Sequence, residues 1–218
     1  MEKVGSGFYY HVYKISNTRV RKLPTSHLRK AWLLLWWRMV PLSRLVSEML
    51  DLDAWIRQEV VQSRIVVERF PSKNTIGNPS PIADDGTYEQ DYAPRLKDIL
   101  ASISEERFTE YVRTYCSYQH QLWAVGHADC IWNFTLNCGV RPDTGELILI
   151  DLNELSYNKE RMEKDIYTKE WEHSNSFLTL EKHYPRLYAI ACKETEMRCT
   201  ISELEKYWKT IPNSSELR

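Results

Sequence analysis

Acidic and amide side chains suited to phosphoryl transfer are concentrated between His127 and Asp151. Asp129 falls in a predicted loop, and Asn133 follows it by four residues. An aspartate that accepts a hydroxyl proton, followed by an asparagine that coordinates a cation, supplies two of the groups that this chemistry needs. His127 would brace the loop by hydrogen bonding. The alternative interpretation is a loop of ordinary turn residues.

Asp151 follows the apolar run 147–150, which is typical of a buried strand. A carboxylate at the exit of such a strand faces the end of the sheet, where ligands commonly bind. Mg²⁺ prefers hard oxygen donors, keeps several waters and shares phosphate oxygens. The pattern therefore predicts a magnesium ligand at Asp151, although the same side chain would also suit a helix cap.

A glycine segment and a strand lysine form a second group of candidate residues. Gly5 and Gly7 come directly before a predicted hairpin, and Lys22 lies near the end of its second strand. Phosphate-binding loops use glycine because backbone N–H groups must approach the oxygens without a Cβ in the way. A strand lysine can neutralise phosphate oxygens as a point charge. The alternatives are a flexible N-terminal turn and a solvated lysine.

The N-terminal part of the chain combines strand-forming segments with a long helical stretch. Residues 60–67 are rich in β-branched side chains and could extend as a strand instead of continuing a helix. The predicted elements are, in chain order, a hairpin at 8–23 with a turn at 16–18, helices over 27–70 broken at Pro41, and short strands at 81–83 and 87–92.

The C-terminal part contains the clearest helix of the sequence, over residues 104–124. Ser104 supplies an N-cap and Gly126 a stop. The other predicted elements are a short helix at 95–100, strands at 134–136 and 147–150 joined by a turn at 142–145, and mainly helical structure over 156–211 with breaks near 174–176 and Pro185.

Composition restricts the compartment and the class of partner. The net charge of −1 predicts no general attraction to nucleic acid. The five cysteines have no zinc-site spacing, which favours free buried thiols in a reducing compartment. The longest apolar run, 31–37, is shorter than the about 20 residues that a membrane span needs. We therefore expect a cytoplasmic protein without a membrane span. Contact of the basic segment 29–44 with a membrane surface is an open alternative.

The order of these features resembles the protein-kinase-like superfamily, and its compact bacterial and small-molecule kinases in particular. The resemblance covers about residues 5–154. Residues 5–13 look like the glycine-rich loop and second strand, 20–22 like the lysine motif of the third strand, and 88–92 like the hinge strand. His127, Asp129 and Asn133 resemble the catalytic loop, and residues 151–153 stand where the family has Asp-Phe-Gly.

The resemblance implies an α+β, two-lobed kinase-like fold with a small antiparallel-sheet N-lobe, residues 1–93, and a mainly helical C-lobe, residues 94–218. It also implies ATP and Mg²⁺ as ligands. In that scheme Asp129, Lys22 and His127 serve catalysis, and Asp151 and Asn133 hold the metal. Nucleotide binding would involve Gly5, Gly7, Val12, Lys22, Glu89 and Asp91, with Glu68, or else Glu59 or Glu48, pairing with Lys22.

The chain departs from the family at four places. Tyr10 replaces the third glycine of the loop, and Asn153 replaces the glycine of Asp-Phe-Gly. The family's asparagine follows its aspartate by five positions, whereas Asn133 follows by four, which leaves Asn137 as an alternative metal ligand. No Ala-Pro-Glu motif follows, which favours a small-molecule acceptor or an inert site.

Three functions are consistent with these observations. The first is an ATP-dependent phosphotransferase acting on a hydroxyl of a small molecule or of an unidentified acceptor, which could be a protein. The second is a pseudokinase that senses nucleotide or binds a partner, with the aromatic stretch 32–37 as a candidate partner surface. The third is an α+β protein without catalytic function, in which the motifs are accidental.

Overall fold

The computed structural model describes residues 1–7, 9–26, 31–32, 35, 41, 44–152 and 155–209. The chain is an α+β protein with a four-stranded antiparallel sheet and a mostly helical remainder. It divides into two compact units. The first comprises Met1–Val67 and Gly77–Tyr92, and the second comprises Glu68–Ile76 and Ala93–Arg218. The sequence predicts a division at 93/94, which would leave residues 68–76 in the N-terminal part. In the structure these residues belong to the second unit.

The first unit contains the four-stranded sheet, in the order β1-β2-β3-β4 with every neighbouring pair antiparallel. The predicted hairpin at 8–23 is confirmed in β2 and β3, whereas β1 was not predicted. The predicted strand at 81–83 is wrong, although the Ala83 N–H donates to the Thr87 carbonyl at 2.9 Å. The strands are β1 (Glu2–Ser6), β2 (Tyr10–Lys14), β3 (Arg19–Pro24) and β4 (Tyr88–Asp91).

Helix α1 (Leu45–Arg69) is continuous through the segment 60–67, which is therefore not a strand. Buried side chains recur along it at helical spacing, and the Trp55 ring lies 5.2 Å from that of Tyr9. Ala31, Trp32 and Leu35 are also helical. The rest of the predicted helix before residue 44, including most of the stretches 29–44 and 32–37, lies outside the described residues.

In the second unit, the predicted helix over 104–124 is confirmed as α3 (Glu105–Trp123), after the short helix α2 (Leu96–Ile99). The Ser104 side chain caps α3 by accepting from the Arg107 N–H at 3.2 Å. Gly126, with φ of 75°, ends the turn after it. Both helix boundaries thus follow from local residues.

Short strands surround the segment that carries the candidate residues. Strand β5 (Ala128–Asp129) pairs with β8 (Leu155–Ser156), and β6 (Cys138–Val140) pairs with β7 (Leu147–Leu149) around the predicted turn. The predicted strand at 134–136 is wrong, because Phe134–Asn137 forms one helical turn, α4. In this turn the Asn133 carbonyl accepts from the N–H groups of Leu136 and Asn137 at 2.9 and 2.8 Å.

The remainder of the second unit is helical, as predicted, with the breaks at Ser174 and Pro185. Its helices are α5 (Lys159–Tyr167), α6 (Asn175–His183), α7 (Pro185–Arg198) and α8 (Ile201–Tyr207). The cysteines are free, and all except half-buried Cys192 are buried. Within the described ranges, no helix has the length and apolar character needed to cross a membrane.

Gly139 in β6 lies too close to Ala93 for any side chain. A Cβ at this position would approach the Ala93 Cβ to 2.8 Å and its carbonyl oxygen to 2.9 Å. We expect Gly139→Ala to lower the free energy of unfolding by about 1–3 kcal/mol, measured by urea denaturation. Gly5→Ala is the control, because its Cβ would lie at an ordinary 3.4 Å from the Val12 Cβ. Equal stability of the two variants would contradict this packing.

Candidate functional site

His127 stands at the entrance to the candidate loop and is fully buried. Its Nδ1 lies 3.0 Å from the Val125 carbonyl, so the side chain is bonded to the backbone of the preceding turn. Burial lowers the pKa of His127 below its usual value. A neutral imidazole in this place is suited to bracing the loop.

Asp129 is held on every side by hydrogen bonds and is only 3% exposed. Its Oδ1 accepts from the N–H groups of Ile131 and Trp132, each at 3.1 Å. Its Oδ2 accepts from the Tyr115 hydroxyl at 3.1 Å and from Asn137 Nδ2 at 3.4 Å. Burial raises the pKa of Asp129 from 3.8 to about 6, against the opposing effect of these bonds. Both carboxylate oxygens are therefore already engaged.

Asn133 connects the loop to helix α6. Its Oδ1 accepts from the Ser176 N–H at 3.3 Å, and the Ser176 hydroxyl lies 2.7 Å from that of Thr135. The Ser174 hydroxyl donates to the Trp132 carbonyl at 3.2 Å. The Asn133 amide oxygen is therefore bonded to the backbone of Ser176, near the start of helix α6.

Asn137, and not Asn133, lies beside the backbone of Asp151. The Asn137 carbonyl accepts from the N–H groups of Ile150 and Asp151 at 2.8 and 3.2 Å. Its buried side chain donates to Asp129, so this residue joins the loop to the start of the segment after β7. These backbone bonds bring Asn137, the alternative left open by the sequence, next to Asp151 in the fold.

Asp151 is half-buried at the exit of β7, and residues 153–154 lie outside the described part of the chain. Among the residues that are described, no group of three or more His, Cys, Asp or Glu side chains could hold a metal. One carboxylate and one amide oxygen nevertheless suit Mg²⁺, because this ion takes its remaining ligands from water and phosphate. The donor set fits magnesium better than a metal that needs an all-protein site.

Lys22 is a buried cation in the first unit, at 6% exposure. It lies opposite Val12 and Tyr88 in the sheet, and its ammonium stands 5.1 Å from the Tyr88 ring centre. Glu59 of α1 is a buried acid of the same unit, at 8% exposure. Because buried charges need partners, Glu59 is the better candidate to pair with Lys22.

The structure gives little support to the other two glutamates that the sequence offered for this pair. Glu68 is exposed and belongs to the second unit, whereas Glu59, nine residues earlier in α1, is buried. Glu48 forms an ion pair with Arg44 at 3.3 Å.

The glycine segment forms the connection between β1 and β2. Gly5 lies opposite Val12, and the Gly7 N–H donates to the Tyr10 carbonyl at 2.8 Å to close the turn. Residue 8 is outside the described chain. A phosphate-binding role for Gly5 and Gly7 stays a prediction, and the Gly7 N–H is already used within the turn.

Glu89 and Asp91 have partners that leave them poorly suited to bind adenine through their N–H groups. Their carboxylates pair with Arg21 and Arg19 of β3 at 2.6 and 2.9 Å. The Glu89 N–H donates to the Ser80 hydroxyl, and the Asp91 N–H donates to the Gly77 carbonyl. The predicted adenine contacts at Glu89 and Asp91 stay predictions, and the N–H groups of both residues are already bonded within the first unit.

Sequence reasoning missed three residues that shape the loop. The Gln119 side chain binds the main chain of Asp129: it donates to the Asp129 carbonyl at 2.9 Å and accepts from the Asp129 N–H at 3.2 Å. Tyr115 bonds the carboxylate, and Trp132 is fully buried with φ of 53°. A glutamine within the apolar face of α3 was the available signal, whereas nothing local marked Trp132.

Comparison with known proteins adds no relative to this description. No protein-family model matches the chain, and no curated protein matches it. The kinase-like interpretation therefore depends on the residues and geometry given above.

Proposed function

We propose that this chain binds a magnesium–nucleotide complex in the manner of kinase-like proteins, with Asn137 and Asp151 as the metal donors. The observation that carries the proposal is the bond from the Asp151 N–H to the Asn137 carbonyl at 3.2 Å, which holds the two residues side by side. Magnesium bound there would neutralise phosphate charge. Asn137 would contribute Oδ1 and Asp151 its carboxylate.

The first unit supports the proposal separately through Lys22 and Glu59. A buried ammonium on a strand and a buried carboxylate on the adjoining helix are costly unless they interact with charged or polar groups. The kinase-like scheme assigns such a lysine to phosphate oxygens and such a glutamate to the lysine. Lys22 and Glu59 are both buried, which supports that assignment.

A binding role suits the loop better than phosphoryl transfer does. A general base must reach the proton that it removes, whereas both oxygens of Asp129 accept bonds within the fold. The kinase pattern places its aspartate five residues before the asparagine that holds the metal. Counted from Asn137, that position is Trp132, whose indole N–H donates but does not accept a proton. We therefore favour a pseudokinase over a phosphotransferase.

Thermal unfolding with ATP, in the presence and absence of Mg²⁺, tests this function. We expect ATP to stabilise the chain more with Mg²⁺ than without it, and the stabilisation with Mg²⁺ should reach about 2.7 kcal/mol when free Mg–ATP is 100 times its Kd. Asp151→Ala should remove the magnesium-dependent part, and Asp143→Ala, in the exposed turn between β6 and β7, should retain it. No stabilisation of the wild-type chain by ATP under either condition would overturn the proposal.

Phosphate release and transfer to hydroxyl acceptors separate the two kinase-like functions. The pseudokinase predicts that ATP incubated with the wild-type chain is consumed no faster than with Asp151→Ala. Consumption by the wild-type chain that Asp151→Ala abolishes would favour the phosphotransferase instead.

A further inference from the structure

The contact between Asp129 and Asn137 determines which atom the asparagine presents to its surroundings. An ionised carboxylate has only acceptor atoms, whereas an asparagine amide has one oxygen and one NH₂ group. The amide atom facing Asp129 Oδ2, 3.4 Å away, must therefore be Nδ2. The reversed amide would bring two acceptors together. Asp129 thus turns Asn137 Oδ1 away from itself.

Among the residues that the structure describes, none donates a hydrogen bond to Asn137 Oδ1. The Asn137 main chain is fixed at the same time by the N–H groups of Ile150 and Asp151. An uncommitted amide oxygen on a fixed backbone, next to the backbone of Asp151, is a suitable oxygen donor for a hard cation.

The carboxylate that sets this orientation is itself immobilised. Two backbone N–H groups bind Oδ1, the Tyr115 hydroxyl binds Oδ2, and Gln119 holds the main chain of Asp129 on both sides. Groups that orient a metal ligand in this way commonly affect metal affinity about 10–100-fold when they are replaced.

We infer that Asp129 is a positioning residue, which fixes the Asn137 amide with its oxygen available to magnesium, and is not the base of a transfer reaction. The inference rests on the proposed magnesium–nucleotide site. It gives the buried acid of the loop a role that needs no access to an acceptor hydroxyl.

Asp129→Asn tests the inference with almost no change of shape. The new amide oxygen can keep the two backbone N–H bonds, which directs its NH₂ group towards Asn137 and Tyr115. Asn137 must then turn its own oxygen inwards. In the presence of ATP, we expect the Mg²⁺ concentration for half-maximal stabilisation to rise about 10–100-fold, while stabilisation by ATP without Mg²⁺ stays unchanged.

Tyr115→Phe is the matched control, because it removes a bond to the same carboxylate and leaves the contact with Asn137. It should lower the melting temperature without changing the Mg²⁺ requirement. The double variant Asp129→Asn with Asn137→Asp exchanges the amide and the carboxylate, so that the contact is restored and one carboxylate oxygen faces outwards. It should recover the wild-type Mg²⁺ requirement, and it carries the test if Asp129→Asn alone does not fold.

The outcomes distinguish the inference from the function on which it rests. Two results would overturn the positioning role and leave the magnesium site intact. One is an Asp129→Asn variant that needs no more Mg²⁺ than the wild type for half-maximal stabilisation, and the other is a double variant that needs more. A wild-type chain whose stabilisation by ATP does not depend on Mg²⁺ would instead overturn the magnesium site itself.

Discussion

Replacing Trp132 with alanine should lower the free energy of unfolding by about 3–5 kcal/mol, because a large buried ring is lost and the cavity closes only partly. The ring is fully buried, 5.5 Å from that of Trp171 and 6.4 Å from that of Tyr115. Alanine has no advantage at φ of 53°, so no relief of backbone strain offsets the loss. Urea denaturation measures the difference.

Tyr167→Ala is the control for this substitution, since Tyr167 is 85% exposed. Its replacement should change the free energy of unfolding by no more than about 0.5 kcal/mol. A Trp132→Ala variant that is as stable as Tyr167→Ala would show that the loop does not depend on the ring. It would also remove the reason for regarding Trp132 as a structural residue of the loop.

Replacing Glu194 with glutamine should cost about 2 kcal/mol at neutral pH, because charged hydrogen bonds on a buried carboxylate are lost. Glu194 of α7 accepts from Arg113 of α3 through two bonds of 2.9 Å and from Arg198 through another of 2.9 Å. Bonding to Arg113, followed by that to Arg198, lowers the pKa of Glu194 from 4.5 to about 2, against the effect of burial.

The sign of this shift fixes the pH dependence. A carboxylate with a depressed pKa in the folded state stabilises the fold above its unfolded pKa and loses that contribution as the pH falls through its folded pKa. The difference between wild type and Glu194→Gln should therefore be complete above pH 4.5 and shrink towards pH 2. Melting temperatures across that range test it. Glu196→Gln, which breaks an exposed ion pair with Lys169, should have little effect at any pH. A constant difference for Glu194→Gln would contradict the account.

Elements with local signals could be predicted from the sequence. Helix α3 begins after the Ser104 cap and is followed by the Gly126 stop because both residues act within one turn of the chain. The hairpin of β2 and β3 follows in the same way from alternating residues around a short turn. These signals require no knowledge of distant parts of the fold.

The turn at 134–137 could not be predicted, because distant contacts determine it. Phe134 and Thr135 favour a strand by propensity, but Asn133 and Thr135 are bonded to Ser176. The helical turn shortens the path to β6 and brings Asn137 to Asp151. The choice between the two asparagines therefore depended on a residue about forty positions away, which sequence spacing does not reveal.

The magnesium dependence of ATP stabilisation in Asn137→Ala and Asn133→Ala tests the central claim most directly. The two variants remove the same amide from the same loop, one beside Asp151 and one bonded to α6. We predict that Asn137→Ala loses the magnesium-dependent rise in melting temperature, and that Asn133→Ala retains it from a lower starting temperature. Loss in Asn133→Ala with retention in Asn137→Ala would contradict the account.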